Sequence, residues 1–114
     1  MGWEIELTEQ VERWLLDDLD AESRAQIVPA IDKLEEAGPT LGRPIVDRIK
    51  GSRHHNMKEL RSTGGNIRIL FAFDPLRKAI LLIGGDKTGQ WKRWYAENIP
   101  VADDLYDAHL ENIS

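Results

Sequence analysis

The chain has no cysteine. Disulfide staples, thiolate zinc sites and thiol nucleophiles are excluded together, and the composition suits a reducing compartment. Long apolar runs are missing as well. Stretches such as Ala79–Ile83 stop at five residues, against the roughly 20 that a membrane helix requires. The opening Met1-Gly2-Trp3-Glu4 lacks the basic-then-apolar pattern of a secretory signal, so a cytoplasmic location without membrane contact is expected. No serine stands in a Gly-x-Ser-x-Gly elbow, no histidines recur at i, i+4, and no acidic group has metal-ligand spacing. Gly84-Gly85-Asp86-Lys87-Thr88-Gly89 has a Lys-Thr pair but not the glycine spacing of a phosphate loop. The expectation is no metal and no cofactor.

Basic residues are scarce at both ends. Residues 1–42 carry 3 basic and 11 acidic side chains, and residues 94–114 carry none and 5. Residues 43–93 carry 12 basic and 4 acidic side chains, a local +8 inside a chain of net charge −5. Phosphate binding responds to local field more than to total charge, so the basic middle points to nucleic acid despite the acidic total.

The 114 residues suit a single domain over 1–114. Trp3-Glu4-Ile5-Glu6-Leu7 alternates as a half-buried strand. Thr8 caps a helix with the stripe Val11, Trp14, Leu15 and Leu19, and Asp20 caps a second with Ile27, Val28, Ile31 and Leu34, stopped at Gly38-Pro39. Pro29 predicts a kink or a new segment there. Residues 39–56 are punctuated by glycine and proline and are basic. Strands follow over 57–62, 66–73 and 79–84, joined by short turns into an antiparallel meander, with Gly84-Gly85-Asp86 ending the sheet. Ile67, Ile69, Phe71 and Phe73 share one face of the middle strand, and Arg68, Leu70 and Ala72 the other. Trp91, Trp94 and Tyr95 have helical spacing; Ile99-Pro100 predicts an interruption before a short acidic last helix. The order is β-α-α-β-β-β-α, an α+β fold with a small antiparallel sheet packed on a helix pair.

The basic set around that sheet is Arg53, His54, His55, Lys58, Arg61, Arg68, Lys87, Lys92 and Arg93. Metal-free RNA cleavage needs a base for the 2′-hydroxyl, cations for the doubly charged phosphorane and an acid for the leaving 5′-oxygen. Arginine forks suit the phosphorane, histidine suits proton transfer near neutral pH, and aromatic rings stack on unpaired bases. Arg68, central in a strand, requires either a structural carboxylate partner or a site. His54 and His55 are neighbours, so at most one of them faces any given site.

Met57-Lys58-Glu59-Leu60-Arg61, Ile67-Arg68-Ile69-Leu70-Phe71-Ala72-Phe73 and Ile80-Leu81-Leu82-Ile83-Gly84-Gly85-Asp86-Lys87 together resemble the RelE/HigB toxin superfamily. Leu41-Gly42-Arg43-Pro44, Lys50-Gly51-Ser52-Arg53-His54-His55-Asn56, Trp94-Tyr95 and Ile99-Pro100 place the resemblance in its phage-derived, HigB-like branch. The resemblance implies a toxin of a type II toxin–antitoxin system that cuts mRNA on the ribosome by metal-independent 2′-hydroxyl attack. It implies catalytic positions at Arg61, Arg68, Lys87, His54, Lys58 and Tyr95; the basic Lys50, Arg53, Lys92 and Arg93 are expected to grip ribosomal RNA and mRNA backbone. It also implies a helix-turn-helix antitoxin, with operator DNA reached only through that partner. The same fold serves ParE-like toxins, which inhibit DNA gyrase without cleaving RNA, so fold alone leaves both functions open.

Overall fold

In the computed structural model, which describes residues 2–86 and 89–114, five strands form one sheet. The elements run β1 (Glu4–Leu7), α1 (Glu9–Arg13), α2 (Ala21–Ala37), β2 (Val46–Arg48), β3 (Lys58–Arg61), β4 (Arg68–Phe73), β5 (Lys78–Gly85) and α3 (Trp91–Ile113). The sheet order is β1-β5-β4-β3-β2. The β3–β4–β5 meander is antiparallel as expected. Two features go beyond the expected sheet: β2 adds an antiparallel edge strand on β3, and β1 pairs in parallel with β5, which makes the sheet mixed.

Local chemistry sets the helix ends. The Thr8 hydroxyl accepts from the Val11 amide at 3.2 Å and donates to the Leu82 carbonyl at 2.8 Å, so one side chain caps α1 and pins it to β5. Asp20 caps α2 through the Ser23 amide at 2.7 Å. Between them Trp14–Asp18 forms a π-turn. Arg24 closes this turn by donating to the carbonyls of Leu15, Leu16 and Leu19.

Neither Pro29 nor Pro100 ends its helix or starts a new segment. α2 runs through Pro29, and α3 runs through Pro100 as one 23-residue helix. Each proline withdraws one hydrogen bond from the carbonyl four residues back. Those residues, Ala25 and Ala96, are exposed, so water can satisfy the carbonyls. Apolar neighbours hold each helix across the gap: Ile27, Ala30 and Leu34 in α2, and Ile99, Ala102 and Tyr106 in α3.

Two cores result. The face carrying Ile69, Phe71 and Leu81 packs on Val11, Leu15, Ile27 and Leu34 of the helix pair. The opposite face, with Leu70, Ala72, Ile80 and Leu82, is covered by Trp94, Ile99, Ala102 and Tyr106 of α3. The face bearing Arg68 is therefore roofed by α3, whose first turns bring Trp91 and Tyr95 onto that side chain. β5 also continues through Gly84 and Gly85, beyond the expected break. A Cβ on Gly84 would lie 2.3 Å from the Trp14 ring, and one on Gly85 2.3 Å from the Trp94 indole nitrogen. These glycines make room for a tryptophan on each face and form no phosphate loop.

Candidate active site

The candidate site lies where β3 and β4 leave the cover of α3. Arg61 and Arg68 stand directly opposite each other in the β3–β4 register. The hairpin between them turns on Gly64 and Gly65, both at positive φ, and is tied by the Ser62 hydroxyl accepting from the Ile67 amide at 3.1 Å. Arg68 donates through Nε to the Gly65 carbonyl at 3.0 Å and through Nη1 to the Tyr95 hydroxyl at 2.6 Å. Its guanidinium lies 4.3 Å from the centre of the Trp91 ring. Among the described residues no carboxylate pairs directly with Arg68.

Glu59 completes the cluster. Its side chain is only 3% exposed, and its Oε1 accepts from Arg61 Nε at 2.6 Å and Nη2 at 2.5 Å. Its Oε2 accepts from the Tyr95 hydroxyl. Burial, reinforced by Glu59, pushes the Tyr95 phenol above its ordinary range, against the opposing pull of Arg68. Burial lowers Arg61, but the bond to Glu59 outweighs it and the net shift is upward. The site therefore keeps the Arg61 guanidinium charged and the Tyr95 phenol neutral through the physiological range.

Two grooves meet at Arg61. One, of about 560 Å³, runs over the hairpin between Pro29, Lys33, Pro44 and Arg68. The other brings the exposed Lys50 beside Glu59, Arg61 and Tyr95. A phosphate at this junction would meet the guanidinium N–H groups of Arg61 and Arg68 that Glu59, Gly65 and Tyr95 leave unbonded, donors suited to its charged oxygens.

The other expected positions separate. His54 hydrogen-bonds Asp107 at 2.7 Å and sits edge-on to Tyr106. Asp107 lies twelve residues beyond Tyr95 on α3, about 18 Å along the axis at the helical rise. The structure thus does not bring His54 to the arginine pair. Arg53 is bound by Asp103, Asp104 and Asp107 of the same helix. Strand alternation turns Lys58 away from Glu59 and Arg61, onto the face of Leu60 and Phe71. Lys92 and Arg93 are exposed at the start of α3, and Arg93 pairs with Glu97 at 3.0 Å. His55 is exposed. Lys87 lies outside the described residues; β5 ends at Gly85, which pairs with Arg68. Sequence reasoning did not single out Glu59, although its place two residues before Arg61 on a strand puts both on one face.

The architecture, a helix pair and a long helix enclosing a five-stranded sheet with a basic rim, is that of a RelE-like toxin fold. The crystal structure of isolated Escherichia coli RelE toxin superposes with a TM-score of 0.60, covering 82% of this chain and 96% of that one at 8% identity. The archaeal RelE–RelB complex from Pyrococcus horikoshii gives 0.57, covering 78% and 99% at 16% identity. At these identities the likeness concerns the fold. Sequence goes further. Residues 14–107 match the family of phage-derived Gp49-like proteins. A Mycobacterium tuberculosis protein assigned as toxin HigB3 is 62% identical over 97 residues, covering 85% of this chain and 84% of its own length. Another from the same organism, assigned as toxin HigB2, is 50% identical over 113 residues; the match covers 96% of this chain and 55% of that longer protein. The chain belongs to the Gp49-like family, within the RelE/HigB-type toxins.

Proposed function

We propose that the chain is a ribosome-dependent mRNA endoribonuclease whose activity arrests growth until an antitoxin restrains it. The observation that carries this reading is the opposed pair Arg61 and Arg68, fixed by Glu59, Tyr95 and Gly65 at the junction of two grooves. Cleavage would proceed by attack of the ribose 2′-hydroxyl on the adjacent phosphorus, with the P–O5′ bond breaking. The arginine pair would bind the scissile phosphate and stabilise the charge added in the phosphorane. Lys87, two residues past the end of β5, would assist in charge stabilisation or proton transfer. Tyr95 would orient Arg68, and Trp91, with its ring against the Arg68 guanidinium, offers a stacking surface for a neighbouring base. Lys50 would grip the RNA backbone at the groove, with Lys92 at the helix start. Arg53 and His54, engaged by α3, would act on ribosomal RNA only through their exposed edges, and Lys58 from the far face.

The partner would be a helix-turn-helix antitoxin, as RelB accompanies RelE in the archaeal complex, with operator DNA contacted through it. The test is expression from a tightly repressed promoter with mRNA 5′ ends mapped by sequencing. New ends in phase with codons, absent for Arg68→Ala, are the expected result. Growth arrest with intact mRNA would overturn it and favour gyrase inhibition.

A further inference from the structure

Arg61 and Arg68 occupy opposed positions on adjacent strands. Side chains so placed start about 5 Å apart at Cβ, and like charges there repel. A buried anion answers that repulsion. Glu59 lies on the Arg61 face, and both of its oxygens are occupied: Oε1 by the Arg61 fork, Oε2 by the Tyr95 hydroxyl. The phenol has one proton, which it gives to Glu59. Its oxygen is thereby left to accept from Arg68 Nη1 at 2.6 Å. One carboxylate thus fixes Arg61 directly and Arg68 at one remove. Asp47 on β2 acts on Arg61 through its charge but makes no ion pair with it; its Oδ1 accepts from Arg43 at 3.1 Å and from the Arg48 amide at 2.8 Å.

We infer that Glu59 is the positioning residue of the site, aligning both guanidiniums on one phosphate and holding the Tyr95 proton away from the reacting atoms. This inference rests on the nuclease reading above. Glu59 does not serve as the base. A base needs an oxygen facing substrate, whereas this side chain is 3% exposed with both oxygens already accepting hydrogen bonds.

The experiment uses the full chain carrying Glu59→Gln or Tyr95→Phe, with mRNA cleavage measured on ribosomes and the tyrosine titrated by ultraviolet absorbance. The chain has two tyrosines, so a Tyr106→Phe background isolates Tyr95. Glu59→Gln should lower kcat roughly 10²-fold with little change in KM, the effect of misplaced catalytic groups rather than lost binding. Tyr95 should ionise at lower pH, since the anion opposing its ionisation is gone. Unchanged kcat, a loss confined to KM, or an unmoved titration would each overturn the inference. Should Glu59→Gln fail to fold, Tyr95→Phe decides: it keeps the ring packing and removes the hydroxyl that joins Glu59 Oε2 to Arg68, so reduced kcat at constant KM supports the inference and unchanged kcat refutes it. If the parent chain cleaves no RNA, the nuclease reading falls, and the titration alone decides whether Glu59 controls Tyr95.

Discussion

The segment between β2 and β3 is tied to α3 by the buried Asp103 beside the more exposed Asp104 and Asp107, and removing Asp103 should loosen the loop. Asp103 is 2% exposed. It accepts from the Ser52 hydroxyl at 2.5 Å and from the Arg53 amide at 2.9 Å, and lies 3.9 Å from the Arg53 guanidinium. In Asp103→Ala the amide bond is the largest loss, because hydrogen bonds to a charged group contribute about 1.5–3 kcal/mol each. The Ser52 hydroxyl is half-buried and recovers part of its bonding from water. The guanidinium contact adds little, since Arg53 is 53% exposed and keeps Asp104 and Asp107. The expected cost is about 2–4 kcal/mol, with Asp103→Asn roughly half of that because it keeps an acceptor for the amide. Urea unfolding followed by circular dichroism gives the free energy. Hydrogen exchange at Arg53 and at His54, whose amide donates to Ser52 Oγ at 2.9 Å, reports the loop itself. A change below about 0.5 kcal/mol, the range of ordinary surface substitutions, or unchanged exchange at both amides, would refute the latch.

Gly85→Ala should cost about 1–3 kcal/mol by overpacking against Trp94, seen as a fall in Tm; an unchanged Tm would show that the indole yields freely. Acid stability should depend on Asp74. Burial raises its pKa, but hydrogen bonds from His109 and the amides of Lys78 and Leu76 outweigh this and hold it below the ordinary carboxylate range. A depressed folded pKa gives stability that is present above the unfolded value and lost as pH falls through the folded one. Asp74→Asn should therefore flatten the drop in Tm as pH falls below the ordinary carboxylate range, and an equally steep drop would assign the acid limb elsewhere.

Where a signal was local, the sequence was enough. Thr8 and Asp20 cap the helices they were expected to cap, and the turn residues around Gly64-Gly65 and Asp74-Pro75 defined the meander. That meander in turn placed Arg61 against Arg68. What escaped was non-local or compensated. Pairing of Glu4 with Lys78 bridges most of the chain and leaves no mark in either strand. β2 is three residues inside a proline- and glycine-rich stretch, too short for alternation to register. Pro29 and Pro100 read as boundaries because tertiary packing, invisible in a window of sequence, carries each helix past its missing bond. With α3 divided in expectation, the cover over the Arg68 face was lost, and with it the meeting of Glu59 and Tyr95.

The basic middle of the sequence needs the same geometric filter before it becomes an argument about RNA. Several of its cations are already spent on carboxylates: Arg43 on Asp47, Arg53 on three aspartates of α3, Lys78 on Glu4 and Glu6, Arg93 on Glu97. Arg77 lies over the Trp3 ring. Arg48, Lys50, Lys58 and Lys92 have no ion pair among the described residues. Arg61 and Arg68 share one buried anion between them. Of the acidic C-terminal stretch, Asp103, Asp104 and Asp107 lie on Arg53 and His54 rather than on the arginine pair. Net charge thus misleads in both directions: −5 hides a basic rim, and the local +8 overstates it. What a phosphate would meet is the smaller set around Arg61 and Arg68, where one carboxylate faces two guanidiniums and leaves the junction of the grooves positive.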